Sequence, residues 1–500
     1  MSATADAPRR DPFDPRLVAA ATGLLRTFNH AGVLSAADVH VALRLGELVG
    51  ELSDEVLLAV ALAVRAPRQG HVFVDLETIR DRATVEPDEP VDLSALPWPA
   101  VTEWRSSVAG SQLVAIGEDD PAIDQPLRLL GSRLYLDRYW REERTVACDL
   151  NSLAAGAADV IDGELEAGLK RLFPEPSDER QREAAAAAVR RRFAVVAGGP
   201  GTGKTTTVAR IVALLAEQSR ARGTRPPLVA LAAPTGKAAA RLQEAVHAES
   251  KELPVAEEIR AMLLGLRAST LHRLLGWRRG SHSRFAHDRE NRLPHDVVIV
   301  DETSMVSLWQ MGRLVEAVRP DARLIMVGDP GQLASIEAGV VLGDIVGPAA
   351  DRPTAGRIGD GIVVLERVHR YGGGIARVAD AIRRGDGDAA VAALSQAPGE
   401  VTWVPLDLEG TGPAAELPLV RARAVAAGQG VLVAARAGDP GQALSALGRF
   451  RLLCAHRRGP YGVSDWTARV QAWLSDEVDD FDSEQRDYVG RPLLITHNDY

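Results

Sequence analysis

The feature that most constrains the fold of this chain is the run GGPGTGKT at residues 198–205. It fits the pattern G-x-x-x-x-G-K-[ST] of a phosphate-binding loop. A short apolar run, residues 193–197, comes just before it, and apolar side chains at helical spacing follow over residues 206–219. The run therefore has the strand–loop–helix context that this pattern requires, and it predicts an α/β domain that binds a nucleotide.

The residue types of this loop suit a polyphosphate. Glycines allow tight turns that point successive backbone N–H groups at an anion, and the first turn of the following helix adds unpaired N–H donors. We expect Lys204 to reach the β- and γ-phosphates and Thr205 to hold Mg²⁺. The predicted nucleotide-binding residues are Gly198, Gly199, Pro200, Gly201, Thr202, Gly203, Lys204, Thr205 and Thr206.

Two later strands are expected to end beside this loop. Asp301 and Glu302 follow the apolar run 297–300, and the run GDPGQL at residues 328–333 follows another apolar stretch. In an open α/β sheet, ligands lie beyond the carboxyl ends of the strands. Asp301 therefore suits the Mg²⁺ shell, Glu302 suits the base that orients the attacking water, and Gln332 could sense the γ-phosphate. The alternative is an acidic turn after a buried strand, which the upstream loop makes the weaker interpretation.

Two other loops contain the small and polar residues that grip a nucleic-acid backbone. Their hydroxyl and backbone N–H groups could bind phosphates without reading bases. The chain carries a formal net charge of −10, so any contact with nucleic acid is expected to be a local groove, not a property of the whole surface. The predicted contacts are Pro234, Thr235, Gly236 and Lys237 in the first loop, and Thr270 and His272 in the second.

Chain length and the number of cysteines limit the class of protein that this chain can be. The 500 residues exceed what one hydrophobic core usually serves, so we expect more than one domain. Cys148 and Cys454 lie far apart and form neither a disulfide framework nor a metal-site spacing, which favours a reducing, cytoplasmic compartment. The first residues lack an apolar signal core and no apolar run is long enough to span a bilayer, so we expect no membrane association.

Taken in order, these motifs resemble those of superfamily 1 DNA helicases, and they are closest to the RecD family, the alpha subunits of exodeoxyribonuclease V. The run LERVHRY at residues 365–371 resembles the fourth motif of that family, which makes Arg370 the expected arginine finger. Gln181 matches the position of the family's adenine-contacting glutamine, although from the residues alone a solvent-facing place on a helix is equally compatible. The resemblance thus implies the catalytic set Lys204, Glu302, Gln332 and Arg370, with ATP and Mg²⁺ at the site.

The same resemblance implies an ATP-dependent helicase that translocates 5′ to 3′ on single-stranded DNA. The expected partners are single-stranded and duplex-end DNA together with RecB-like and RecC-like subunits, in double-strand break repair and recombination. Residues 70–74 and 134–140 resemble the part of RecD that docks on RecC.

The expected fold class is α/β, with RecA-like P-loop domains (a parallel sheet with helices on both faces) after a small, mainly helical N-terminal domain. We expect a docking-like domain over residues 1–112, a first RecA-like domain over 113–350 and a second over 351–500. Apolar runs at residues 401–404 and 430–434 are predicted strands of that second domain.

The second motor domain is expected to be incomplete, because members of the family continue past the run NDY at residues 498–500 into a Thr-x-His-Lys-Ser-Gln-Gly motif. Two alternatives therefore stay open. One is a truncated nucleotide-binding regulatory subunit without motor activity. The other is a standalone RecD-like helicase, which is the weaker because such forms carry helix-hairpin-helix modules at the front that this sequence lacks.

Overall fold

The computed structural model describes residues 14–85, 92–121, 124–278, 284–333, 335, 337–351, 358–365, 373–396, 400–404, 417–457, 459, 461–479, 481 and 487–493. The chain divides into two compact units, Met1–Val401 and Thr402–Tyr500.

A helical subdomain with a small sheet begins the first unit. Ser35 starts its second helix with a capping box, in which the Ser35 hydroxyl accepts a hydrogen bond from the Asp38 backbone N–H and the Asp38 carboxylate accepts one from the Ser35 N–H. Its elements are α1 (Gly23–His30), α2 (Ala36–Val49), α3 (Asp54–Arg65), β1 (Phe73–Asp75), α4 (Ile79–Arg82), α5 (Val101–Ala109), β2 (Val114–Ile116), β3 (Leu127–Leu130) and β4 (Arg133–Leu136). The strands pair in the order β1-β4-β3-β2. This sheet carries the subdomain beyond residue 112, where its end was predicted, because three of the four strands follow that position.

A parallel sheet forms the centre of the first unit. Three helices lead into it: α6 (Asp137–Ala155), α7 (Asp162–Leu172) and α8 (Glu179–Arg190). Its strands are β5 (Phe193–Gly198), β6 (Val229–Ala233), β7 (Ala268–Thr270), β8 (Val297–Val300), β9 (Arg323–Gly328) and β10 (Ile362–Leu365). They are ordered β10-β5-β9-β8-β6-β7, and every neighbouring pair is parallel. The apolar runs before the phosphate loop, the acidic loop and the glutamine loop are strands β5, β8 and β9, as predicted.

Helices cover both faces of this sheet, because the strands alternate their apolar side chains between two clusters. Val195 and Val298 point into one cluster, whereas Val196 and Ile299 point into the other. The first cluster packs against α6 and the second against α7 and α8. The remaining helices of this unit are α9 (Lys204–Ala221), α10 (Gly236–Glu252), α11 (Glu257–Gly265), α12 (Leu271–Leu275), α13 (Leu308–Ala317), α14 (Val341–Asp351), α15 (Gly373–Arg383) and α16 (Gly387–Ser395). The α/β class with a doubly covered parallel sheet is thus confirmed.

The region after residue 350 differs from expectation in three places. Ile362–Leu365 was assigned to a second domain, but as β10 it is an edge strand of the first sheet, paired with β5. The predicted strand at 401–404 has no regular secondary structure and pairs with no strand among the described residues. The predicted strand at 430–434 is helical, within α17 (Pro418–Arg436).

The second unit is helical in the part that the structure describes, with α17 followed by α18 (Pro440–Gly448) and α19 (Val463–Glu477). Pro418 stands in the first turn of α17, where proline favours a helix. The buried residues Ala424, Val425, Val431 and Leu432 recur at seven-residue spacing, which places them on one helical face. Its interpretation as a second RecA-like domain stays a prediction. Across the described residues of both units, no helix has the length and apolarity needed to cross a membrane.

Candidate ATP site and nucleic-acid interface

The parallel sheet places the predicted site residues together at the carboxyl ends of its strands, which form one edge of the sheet. In the strand register Ala197 pairs with Gly328, Val300 with Met326, and Ala233 with Thr270. The phosphate loop after β5, the acidic loop after β8 and the glutamine loop after β9 therefore leave neighbouring strands on the same side. The two loops predicted to contact nucleic acid follow β6 and β7, farther along the same edge.

The phosphate loop is folded around the amino group of its lysine. Lys204 is the first residue of α9, and its Nζ donates hydrogen bonds to the carbonyl oxygens of Gly198 (2.6 Å) and Gly199 (2.9 Å). Gly201 and Gly203 have φ angles of +79° and +83°, a region that disfavours residues with a Cβ. The Thr202 hydroxyl donates to the Gly199 carbonyl at 2.9 Å and tightens the turn. The loop is thus preformed at the N-terminus of a helix, where an anion is favoured.

Gln181 is buried against this loop, so the solvent-facing alternative is wrong. Its Nε2 donates to the Thr202 carbonyl at 3.2 Å, which ties helix α8 to the phosphate loop. A Cβ on Gly203 would collide with the Gln181 amide in this position, so glycine suits this packing as well as the φ angle. Contact of Gln181 with adenine stays a prediction.

The acidic loop after β8 has an unusual carboxyl. Burial raises the pKa of Asp301 to about 6, and the negative charge of Glu302 acts in the same direction. A hydrogen bond of 2.9 Å from the Glu302 backbone N–H to Asp301 Oδ1 and the positive charge of Lys204 oppose this rise. Glu302 itself adopts a left-handed conformation (φ +51°, ψ +41°), which is strained for a residue with a side chain. Two adjacent carboxyls, one buried, form a site suited to a cation.

The glutamine loop lies against the acidic loop. A Cβ on Gly328 would be 2.7 Å from Leu342 Cδ2 and 3.1 Å from the backbone N of Thr303, so the absence of a side chain favours this close approach. The Thr303 hydroxyl bridges the ends of both strands, at 2.9 Å from the carbonyl oxygens of Val300 and Val327. Gln332 is exposed on this loop, where its side chain is free to turn toward a ligand.

The two predicted nucleic-acid loops end in helix caps. The Thr235 hydroxyl accepts a hydrogen bond from the Ala238 N–H (3.2 Å) at the start of α10, and the Thr270 hydroxyl accepts one from the Arg273 N–H (3.2 Å) at the start of α12. Thr235, Gly236 and Lys237 are exposed there. Arg370, the predicted arginine finger, lies outside the described residues, as does the stretch 366–371.

Sequence reasoning missed an aromatic series beside the second loop. The His272 ring lies 5.8 Å from the Phe285 ring, and Phe285 lies 5.6 Å from Trp309. These residues come from three separate segments, so no local spacing could reveal their contact. The signal that the sequence offers is that aromatic residues make up just 4% of the chain, which makes any tryptophan near a predicted site notable.

Comparison with known proteins agrees with these observations. Residues 181–338 match a family described as AAA domain, and residues 30–135 match the family RecBCD enzyme subunit RecD, N-terminal domain. The RecBCD enzyme subunit RecD of Mycolicibacterium smegmatis is 48% identical over 95% of this chain and 79% of that protein. The protein of the same name from Mycobacterium tuberculosis H37Rv is 48% identical over 96% of this chain and 77% of its own length. The ATP-dependent RecD2 DNA helicase of Deinococcus radiodurans is 31% identical over 56% of this chain and 34% of its own.

Both N-terminal and ATPase parts of the chain are included in the match to the mycobacterial relatives. Identity of 48% extends across 95% of the chain, through the phosphate, acidic and glutamine loops. The chain belongs to the RecD family of ATP-dependent helicases.

Proposed function

We propose that this chain is an ATP-dependent helicase subunit of a RecBCD-type helicase–nuclease, which translocates 5′ to 3′ on single-stranded DNA and acts in double-strand break repair and recombination. The observation that carries the proposal is the common edge of the parallel sheet. There, a preformed phosphate loop, a carboxyl pair of which Asp301 is buried, and a glutamine loop lie side by side, with capped helix N-termini next to them.

The residues at this edge fit an ATP–Mg²⁺ complex. Asp301 and Thr205 would hold the metal, because a buried carboxyl with a raised pKa gains most from a nearby cation. When bound, Mg²⁺ would neutralise charge on the β- and γ-phosphates. Lys204 would exchange its bonds to the Gly198 and Gly199 carbonyls for phosphate oxygens.

Hydrolysis would use groups on three loops. Glu302 would orient the attacking water and accept a proton from it. Gln332 would form a hydrogen bond with the γ-phosphate, so that loss of the phosphate breaks this contact. Arg370 would supply positive charge to the transferred group. Gln181 would fix the loop that cradles the phosphates and contact adenine.

Binding of DNA would use the loops beyond β6 and β7. Pro234–Lys237 and Thr270–His272 offer hydroxyls, backbone N–H groups and one ammonium, which bind phosphates without reading sequence. Translocation requires the grip on DNA to differ between the ATP-bound and ATP-free states. RecB-like and RecC-like subunits and duplex-end DNA are the proposed partners, with the N-terminal subdomain as the docking part.

The test is ATP hydrolysis by the chain with and without single-stranded DNA, for wild type and Lys204→Gln. We expect strong DNA stimulation in the wild type and loss of at least about a hundredfold in Lys204→Gln, since the cationic contact to the transferred phosphate is removed. Lys170→Gln, an exposed lysine in α7, is the matched control and should hydrolyse ATP normally. Direction would be read from displacement of streptavidin from the 5′ or 3′ end of an oligonucleotide. Tight ATP binding without any stimulated turnover would instead support the regulatory subunit.

A further inference from the structure

A cleft of about 730 Å³ lies outside the proposed ATP site, between the N-terminal subdomain and the ATPase sheet. Pro67 and Arg68, just after α3, form one wall, and Arg138 and Tyr139 at the start of α6 form another. The third wall comes from the ATPase part and includes Trp309 of α13. Both parts belong to the same compact unit, so the cleft is a feature of one body.

The aromatic series connects this cleft to a predicted DNA loop. His272 belongs to the loop after β7, and its ring lies 5.8 Å from Phe285. Phe285 is 94% buried, with 6% of its surface exposed, and lies 5.6 Å from Trp309, which is only partly buried and lines the cleft. A strand bound at Thr270–His272 would therefore meet Trp309 as the next aromatic surface.

The lining of the cleft combines aromatic rings with arginines. The Arg138 guanidinium lies 4.6 Å from the centroid of the Tyr139 ring and donates a hydrogen bond of 3.0 Å to its hydroxyl. The side chain of Arg68 pairs with Asp38 yet keeps 50% of its surface exposed. Rings that accept base stacking, beside cations that attract phosphates, are the pattern of sequence-independent single-strand binding.

Two acidic residues also line the cleft. Glu337 accepts a hydrogen bond of 2.8 Å from the Ser307 hydroxyl, and Glu142 faces the positive charges of Arg313 and Arg138. The lining is therefore mixed in charge. A free anion would gain little from it, whereas stacked bases would gain from the rings whatever the net charge.

One wall of the cleft is continuous with the glutamine loop. Seven residues after Gln332, the Gly339 N–H donates to the Gly70 carbonyl of the N-terminal subdomain at 3.1 Å, and the Leu308 N–H donates to the Ala338 carbonyl at 3.1 Å. Gly339 has a φ of +105°, and a Cβ there would be 2.7 Å from Leu308 Cβ. These backbone hydrogen bonds join one wall of the cleft to the N-terminal subdomain.

From these contacts we propose that the cleft binds unpaired nucleotides of single-stranded DNA, stacking bases on Trp309 and Tyr139 and holding the backbone with Arg68 and Arg138. The inference rests on the proposed function, because it extends the track of a DNA strand already bound at Thr270–His272. It gives the N-terminal subdomain a direct part in holding the strand, in addition to any role in docking.

The test is affinity for oligothymidylates of increasing length, from about 4 to about 16 nucleotides, measured by fluorescence anisotropy. Wild type should gain affinity once the strand is long enough to reach the cleft. Trp309→Ala should lose roughly tenfold in affinity for the long oligonucleotide, the usual effect of removing one stacking side chain, with affinity for the shortest within about twofold of wild type. Trp309→Phe should restore most of the loss.

Trp140→Phe is the matched control, because Trp140 neighbours Tyr139 on α6 but packs its ring on Arg128 at 3.9 Å and is not among the residues lining the cleft. Crosslinking of 5-iododeoxyuridine oligonucleotides to the wild-type chain, mapped by mass spectrometry, should mark Trp309 or Tyr139. Length-dependent binding that Trp309→Ala leaves intact, with no crosslink at either ring, would overturn the cleft assignment alone. Failure of the wild type to bind any oligonucleotide would overturn the proposed function and the cleft together.

Discussion

Asp301 lowers the stability of the folded chain whenever its carboxyl is ionised. Only 9% of the residue is exposed, and burial raises its pKa from 3.8 to about 6. The folded state therefore binds the proton more tightly than the unfolded state does. By linkage, the contribution of Asp301 to stability is fully present below about pH 4 and is lost as the pH rises through about 6. Above that range, a pKa shift of about two units lowers the free energy of unfolding by about 3 kcal/mol.

We predict that Asp301→Asn raises the free energy of unfolding by about 2–3 kcal/mol near pH 8 in the absence of Mg²⁺, because the amide keeps the shape without the buried charge. Near pH 4 the variant and the wild type should unfold alike. Chemical unfolding at the two pH values measures this, with Asp321→Asn as the control because that side chain is 68% exposed. An equal difference at both pH values would show that charge is not the cause.

Replacing Asp301 would then stabilise the fold but damage the activity. Asp301→Asn removes the carboxylate proposed to hold Mg²⁺, so the more stable variant should be the inactive one. Stability and activity are expected to conflict where a binding site contains a buried charge that only the bound ligand compensates. The strained left-handed backbone of Glu302, next in sequence, is a second sign of the same conflict.

Strands β5, β6, β8 and β9 of the ATPase sheet could be predicted because each is a short apolar run that is almost wholly buried. Strand β7, with the sequence Ala-Ser-Thr, is only partly buried and lacks that signal. Val297–Val300 is apolar at all four positions, and its carboxyl end is marked by Asp301. Such runs flanked by loop signals leave few other structures for the chain. The site residues followed, since parallel strands place their carboxyl ends together.

The strand prediction for residues 430–434 is wrong because the residues around this run favour a helix. Its valines and leucine look like a strand, but the sequence around it is rich in alanine and arginine, which are strong helix formers, even though Gly428 and Gly430 interrupt it. In the structure the run continues a helix of 19 residues, Pro418–Arg436. A five-residue apolar run cannot be assigned by period alone, and here the flanking residues decided. The Phe285–Trp309 contact was out of reach because it depends on tertiary packing.

Arg128 holds the elements of the N-terminal sheet together. Its side chain is fully buried on β3, and its Nε donates to Asp137 Oδ1 at 2.8 Å. Its two terminal nitrogens donate to the carbonyl oxygens of Gly117 (2.6 Å) and Asp120 (2.8 Å) in the loop after β2. One guanidinium therefore joins a strand, a loop and the start of α6, and its ring partner Trp140 completes the packing.

We predict that Arg128→Met destabilises the chain by about 3 kcal/mol, because it leaves two loop carbonyls without their donor and leaves the buried Asp137 carboxylate with Arg141 as its remaining arginine partner. Arg105→Met is the control, since Arg105 and Glu77 form an ion pair of 3.2 Å with both side chains about half exposed, and its loss should cost less than about 1 kcal/mol. Hydrogen exchange should show the loss as faster exchange in β3 and β4. Equal effects of the two variants would mean that Arg128 contributes no more than a surface pair.

The whole chain is acidic, with a net charge of −10, so its proposed hold on DNA cannot come from the average field of its surface. Positive charge must instead be concentrated along the edge where the ATPase loops emerge. Lysines are rare among the residues at that edge, and Lys237 is the only lysine in the two predicted DNA loops. Its exposed ammonium lies in the first turn of α10, next to backbone N–H groups that also favour an anion.

We predict that Lys237→Ala weakens binding of single-stranded DNA to a similar extent for oligothymidylate and oligoadenylate, because a phosphate contact carries no sequence information. The slope of log affinity against log salt concentration should become shallower by about 0.7, the contribution of one phosphate contact on a single strand. Lys251→Ala is the matched control, since Lys251 lies exposed in the last turn of the same helix and should leave the slope unchanged. Titrations at several salt concentrations give the slopes directly. A loss confined to one base composition, or an unchanged slope, would assign Lys237 a role other than holding the backbone of the strand.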